Sequence, residues 1–167
     1  MTHLLDSNTL IEAKNRYYNM KFCPAYWQWI SIQNQAAAVL SISMVADELR
    51  KGNDELAQWA ADHPELFVNV DDEATQEAFT QVAQVLVEET QAKQMKNGAL
   101  EEFLSGADPW LIAKAMTTGA TVVTHERYNT DVKRKFLIPN VCRIFRVEWI
   151  NTFELLEKLE AKFILPL

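Results

Sequence analysis

The chain has 167 residues, of which 49% are hydrophobic and 23% charged, enough apolar material for one domain spanning residues 1–167 to fold without disulfides or structural metals. A formal net charge of -7 argues against nucleic-acid binding through bulk positive charge, although carboxylates gathered around a divalent cation would themselves raise the acidic count. Cys23 and Cys142 lie far apart with no ligand-like spacing, Asp6 interrupts what a signal peptide needs as an apolar core, and the apolar-leaning run from Ala36 to Ala46 is too short to span a bilayer. These features predict a cytoplasmic protein with no membrane segment.

In chain order, His3-Leu4-Leu5 is a short apolar run closed by Asp6-Ser7-Asn8, which predicts a buried strand that stops where polar side chains begin. Asp6 is then either a helix N-cap or a ligand at a strand's carboxyl end. Thr9 to Tyr18 and Pro24 to about Gln35 predict helices. Tyr26 and Trp27, adjacent on the second of these, cannot both face one side, so one ring is expected at a surface or interface. Val39 to Ile42 predicts a second strand, and Ser43 caps a helix that runs through Lys51 to Gly52. On that helix Ile42, Val45, Ala46 and Leu49 share the apolar face. Glu48 borders this face, whereas Asp47 falls beside Ser43, Arg50 and Lys51 on the wet side.

Asn53 or Asp54 restarts a helix with Leu56, Trp59 and Ala60 at helical spacing, ended by His63-Pro64. Leu66 to Val70 is a short strand or extended linker. Asp72 to about Lys96 predicts the longest helix, broken at Asn97-Gly98. Asp108 stands at an N-cap with Pro109 at the first helical position, and the helix runs to Gly119. Ala120 to Thr124 is a β-branched buried strand ending in His125-Glu126. Arg127 to Lys135 is a basic loop, Leu137 to Asn140 a turn, and Val141 to Val147 an edge strand on account of Arg143 and Arg146. Asn151 with Glu154 makes a capping box for a last helix. Strands alternating with helices predict an α/β fold, three-layer α/β/α around a central, mostly parallel sheet.

In such a sheet the carboxyl ends of strands and the start of a helix lie on one edge, so Asp6, Asp108 and Glu126 are expected to converge there, with Glu48 as a fourth acid. Carboxylates so grouped repel, and a hard cation bound through oxygen, Mg²⁺ or Mn²⁺, resolves the repulsion.

The motifs Leu4-Leu5-Asp6-Ser7-Asn8, Val45-Ala46-Asp47-Glu48-Leu49, Ala107-Asp108-Pro109-Trp110-Leu111-Ile112-Ala113 and Val122-Val123-Thr124-His125-Glu126 resemble, in order and at fitting intervals, the pattern of PIN-domain nucleases. The likeness covers nearly the whole chain. It is greatest to a PIN-like subfamily of bacterial and archaeal proteins, in which the Lys14-to-Trp29 stretch and Ile138-Pro139-Asn140-Val141-Cys142 have counterparts. The resemblance implies a Mg²⁺- or Mn²⁺-dependent ribonuclease, the toxin of a toxin–antitoxin pair like the VapC-type proteins, with RNA as substrate, an antitoxin as partner and a homodimer as assembly. Carried over residue by residue, Asp6, Glu48, Asp108 and Glu126 take the catalytic and metal-binding positions, with Asn8 and Thr124 as hydrogen-bonding neighbours. Most PIN domains have Asp where this chain has Glu126. Asp131 in the following loop is the alternative, and Glu126 is preferred because it follows a strand. Arg127, Lys133 and Lys135 are the expected phosphate contacts, with His125 a weaker one, and the rings of Tyr26, Trp27 and Trp29 are candidate partner contacts. Two rivals remain. A haloacid-dehalogenase-type phosphatase also begins on a strand-end Asp but needs a second acid two residues later, where this chain has Asn8. A non-catalytic PIN-like module that binds RNA or protein would use the same fold without the metal.

Overall fold

The computed structural model describes residues 1–167. Its centre is a sheet of five strands, β1 (His3–Leu5), β2 (Val39–Ile42), β3 (Phe67–Val68), β4 (Thr121–Val123) and β5 (Trp149–Ile150), in the order β3-β2-β1-β4-β5, with every pairing parallel. Helices flank it, as the α/β expectation requires. The central strands β1 and β4 are buried along their whole length, which is why they read as continuous apolar runs with no alternation.

The order of the strands matters more than their number. From β1 the chain winds outward through β2 to β3, then returns across the sheet to β4 and continues outward to β5. The direction of winding therefore reverses between β1 and β4. Right-handed crossovers then put the helices of the two halves on opposite faces and leave a crevice beyond the carboxyl ends of β1 and β4. Asp6 follows β1 directly and Glu126 follows β4 three residues after its last residue, so both flank that crevice.

The helices are α1 (Ser7–Glu12), α2 (Pro24–Gln35), α3 (Ser43–Arg50), α4 (Glu55–Asp62), α5 (Glu73–Ala92), α6 (Ala99–Ser105), α7 (Asp108–Thr118), α8 (Ile138–Ile144) and α9 (Thr152–Lys158). A π-helical turn, Ala13–Tyr17, continues α1, so the single helix expected to Tyr18 changes its winding midway. The long helix, the Asp54 restart and the capping box of Asn151 with Glu154 are as expected. No helix is long and apolar enough to cross a membrane. A cluster of 33 buried hydrophobic residues joins sheet and helices, and both cysteines are free thiols.

Four expectations are corrected. Val141 to Val147 is not an edge strand: α8 occupies most of it, because Ile138, Val141 and Cys142 are buried at helical spacing and Pro139 sits in the first turn, while the edge strand is β5. Asp108 is not the N-cap of α7. Ala107 holds that position and the Asp108 carboxylate makes no bond to its own helix. Ser43 likewise begins α3 behind Ile42 and does not cap it. Finally, Tyr26 and Trp27 are both buried, which removes them as partner contacts. Neighbours press on α2 from two directions: Tyr26 stacks on Tyr18 at 4.4 Å, and Trp27 meets Trp59 edge-on at 4.9 Å and donates from Nε1 to the Tyr18 carbonyl at 2.7 Å.

Trp27→Ala is expected to cost about 3–5 kcal/mol in denaturant unfolding, the range for deleting a buried aromatic side chain. A cost below about 0.5 kcal/mol, usual for a surface ring, would contradict this packing.

Candidate functional site

Asp6 is at once a cap and a buried acid. Following β1 in extended conformation, it caps α1, with Oδ1 accepting from the Asn8 amide and the Ser7 hydroxyl, both at 3.4 Å. Its other oxygen, Oδ2, accepts from the Thr124 hydroxyl at 3.0 Å. Thr124 then ties the two sides of the crevice together, since the same hydroxyl oxygen accepts the Glu126 amide at 3.1 Å. The side chain of Thr124 thus supports Asp6 directly. Asn8 contributes its backbone N–H, and its own side chain lies exposed at the rim.

Glu48 reaches the crevice from α3, one residue beyond Asp47, which is exposed and paired with Arg50. Its two oxygens are fixed separately: Oε2 accepts from the Ser7 hydroxyl at 2.7 Å, and Oε1 accepts the Ala107 amide at 3.1 Å. The second bond anchors the turn that leads into α7 and so sets where Asp108 stands. Asp108 itself makes no side-chain hydrogen bond and is the carboxylate most available to a ligand. Glu126 is held from the far side by the Ile138 amide at the start of α8, which donates to Oε1 at 3.1 Å. The extra methylene of Glu therefore has a structural partner here.

The electrostatics bind these acids into one group. Burial, then the charge of Glu126, pushes the Asp6 carboxyl up to about 6, partly offset by the Thr124 hydroxyl and the Asn8 amide, with Glu48 adding a smaller push. Burial, then Asp6, Glu126 and Glu48, pushes Asp108 up to about 8, while Lys135 pulls it down. The Cys142 thiol of α8, buried beside them, is raised by burial and by the charges of Glu126 and Asp108.

The acids open onto two clefts. One, of about 300 Å³, is lined by Ser7, Asn8, Glu48, Asp108 and Lys135 among others. The second, of about 460 Å³, is lined by Thr124, Glu126 and Arg127 together with aromatic rings. Lys135 and Arg127 are thus brought to the site, one to each cleft. Lys133 lines neither. Asp131 is exposed in the loop, and Glu126 is the acid whose charge acts on Asp6 and Asp108. His125 is half-buried, its Nε2 hydrogen-bonded to the Thr152 hydroxyl at 3.0 Å.

Ser7, the Ala107 amide and the Ile138 amide were not singled out from sequence. Ser7 had a signal, since it stands inside the Leu4-to-Asn8 motif, but the two amides belong to residues whose side chains carry no polar group.

No three His, Cys, Asp or Glu side chains stand close enough to hold a metal ion outright. The donor set nevertheless suits a hard cation. All four candidate ligands are carboxylates, Asp108 is uncommitted, and the burial and repulsion that raise Asp6 and Asp108 are what a divalent ion would offset. Mg²⁺ commonly takes only one or two carboxylates and completes its shell with water and substrate phosphate.

Comparison with known proteins places this geometry in a family. The chain belongs to the family described as "Domain of unknown function (DUF4411)", whose profile matches residues 3–163. Among solved structures, a chain of VapBC2 from Rickettsia felis, crystallised bound to a DNA fragment from their promoter, superposes with a TM-score of 0.53 at 17% identity, over 90% of this chain and 98% of that one. The likeness is one of fold: the two chains share an α/β architecture over nearly their whole lengths. No curated protein matches the sequence significantly.

The sign of the pH dependence follows from the raised values. Unfolded Asp has its ordinary value near 3.9, so the stability these two groups contribute is present below about pH 4 and is lost as pH rises through 6 and then 8. In EDTA, Asp108→Asn is expected to raise stability by several kcal/mol at about pH 8.5 and by only about 1–2 kcal/mol at about pH 5. Thermal melts at the two pH values check this, and an equal effect at both would contradict the buried repulsion.

Proposed function

We propose that this protein is a Mg²⁺- or Mn²⁺-dependent ribonuclease that hydrolyses RNA phosphodiester bonds, the toxin of a toxin–antitoxin pair, with an antitoxin and a second copy of itself as protein partners. The observation that carries the reading is the convergence of Asp6, Glu48, Asp108 and Glu126 at the one point of the sheet where the winding reverses, Asp6 linked through Thr124 to the Glu126 backbone and Glu48 holding the turn before Asp108. The fold shared with a chain of a VapBC complex supports it, as do the four motifs that resemble PIN-domain nucleases.

In this reading Asp6 and Asp108 are the inner ligands of the ion. Glu48 and Glu126 complete its negative surroundings, each directed by a backbone amide from a different helix start. A divalent cation held there would supply the positive charge that phosphate needs and would lower the pKa of a water. Glu126 and Glu48 are placed to accept a proton from an attacking water, and Thr124 and Ser7 keep the Asp6 and Glu48 carboxylates from turning away. Lys135 and Arg127, one in each cleft, contact the phosphates on either side of the cleaved bond and position the strand without reading its sequence. No side chain acts as a nucleophile: water attacks phosphorus, the P–O3′ bond breaks and the 3′-oxygen leaves with a proton, so the products carry a 5′-phosphate and a 3′-hydroxyl.

Single-turnover cleavage of RNA in Mn²⁺ is expected to fall by about 10²-fold or more in Asp6→Asn and in Asp108→Asn, each losing a group that acts in the transition state. The second variant is informative because the metal-free fold gains stability from the same substitution, so lost activity is not lost structure. Equal cleavage by wild type and both variants would overturn the reading.

A further inference from the structure

The second cleft is larger than the first, and the reaction at the acids does not use most of it. It shares Thr124 and Glu126 with the acid site and then opens between Tyr17, Tyr128, Trp149 and Phe153. Two of these rings are placed where a folded chain gains little from them: Tyr17 is 50% exposed and Phe153 45% exposed, and they meet edge-on at 5.2 Å. Tyr17 is set there by the π-helical turn Ala13–Tyr17, a winding often found at functional sites. His125 lies 5.9 Å from the Phe153 ring, its orientation held by the Thr152 hydroxyl.

Two polar groups of the cleft also have donors to spare. Arg127 forms no ion pair, and the Asn151 amide, whose oxygen caps α9, leaves its nitrogen without a protein acceptor. Rings that can take a flat apolar face, beside an amide that can meet a polar edge and a guanidinium that can meet the adjoining phosphate, describe a nucleotide and its base. A duplex offers no free base face to such a cleft, so the ligand is a single-stranded or unstacked nucleotide.

From this geometry we infer that the cleft of Tyr17, Tyr128, Trp149 and Phe153 is a nucleobase subsite, which takes the base of the nucleotide next to the phosphate held at the acids. The inference rests on the ribonuclease reading for its substrate, and deepens it: the base beside the cut is unpaired, stacks on the rings and meets the Asn151 amide with its polar edge, while Arg127 stays with the adjoining phosphate. Phe153 and Tyr17 are positioning residues, since they touch the base and not the reacting phosphate.

The test uses ribonucleosides, which carry no phosphate, so that neither metal nor cleavage is required. Adenosine, guanosine, cytidine and uridine are each titrated to their solubility into metal-free protein and followed by backbone amide NMR, with ribose as the control. At least one nucleoside is expected to shift the amides of His125, Tyr128 and Phe153 while ribose shifts none. Phe153→Ala and Tyr17→Ala are expected to weaken that binding by about tenfold or more, with Phe153→Tyr restoring it. Both rings are half-exposed, so neither truncation threatens the core. No shift with any nucleoside, shifts confined to other surfaces, or equal shifts with ribose would each overturn the subsite. If RNA is cleaved but nucleosides do not bind, the subsite alone fails; if nucleosides bind but RNA is not cleaved, the ribonuclease reading alone fails.

Discussion

Asp6 and Asp108 are two carboxyls that the fold presses together out of water, and the arrangement around them follows from that unfavourable pairing. Burial first, then the charge of Glu126 on Asp6 and of Asp6 on Asp108, hold both above the ordinary carboxylate range. A chain of 167 residues with a net charge of -7 has ample surface on which to spread its acids, yet these four converge on the topological switch point. Left without a cation, the site lowers stability as pH rises. With one, the same charges become ligands, so a cost to the apo fold becomes binding energy for the ion.

What keeps the acids in place is mostly backbone. The Asn8 amide at the start of α1, the Ala107 amide before α7 and the Ile138 amide at the start of α8 donate to Asp6, Glu48 and Glu126 respectively. Three helix starts therefore point at one negative cluster, where amide dipoles favour negative charge. Two hydroxyls join the pieces: Ser7 bridges Asp6 and Glu48, and Thr124 bridges Asp6 and the backbone of Glu126. Asp108, with no such restraint, is left to meet what enters the crevice.

The parts of this architecture that were legible in the sequence are those set by local pattern. Leu4-Leu5 and Thr121 to Val123 are apolar runs closed by polar residues, and the face of α3 that selects Glu48 over Asp47 follows from helical spacing alone. The stretch Val141 to Val147 misled because interspersed arginines are typical of an edge strand, whereas its buried residues follow the 3.6-residue period begun at Ile138. The burial of both Tyr26 and Trp27 depends on Trp59 and Phe163, distant residues whose arrival no local pattern announces. The same is true of the partner of Glu126. Its length makes sense only once α8 brings the Ile138 amide to it, and reading α8 as a strand concealed that.

The central claim is that the repelling acids at the end of β1 and the start of α7 form a cation site. Crystals grown with Mn²⁺ and measured at the manganese absorption edge test it directly. One dominant anomalous peak is expected in the crevice, bounded by the carboxylates of Asp6 and Asp108 and absent from Asp108→Asn crystals grown in the same way. No peak there in the wild-type protein, or a peak that persists unchanged in the variant, would contradict it.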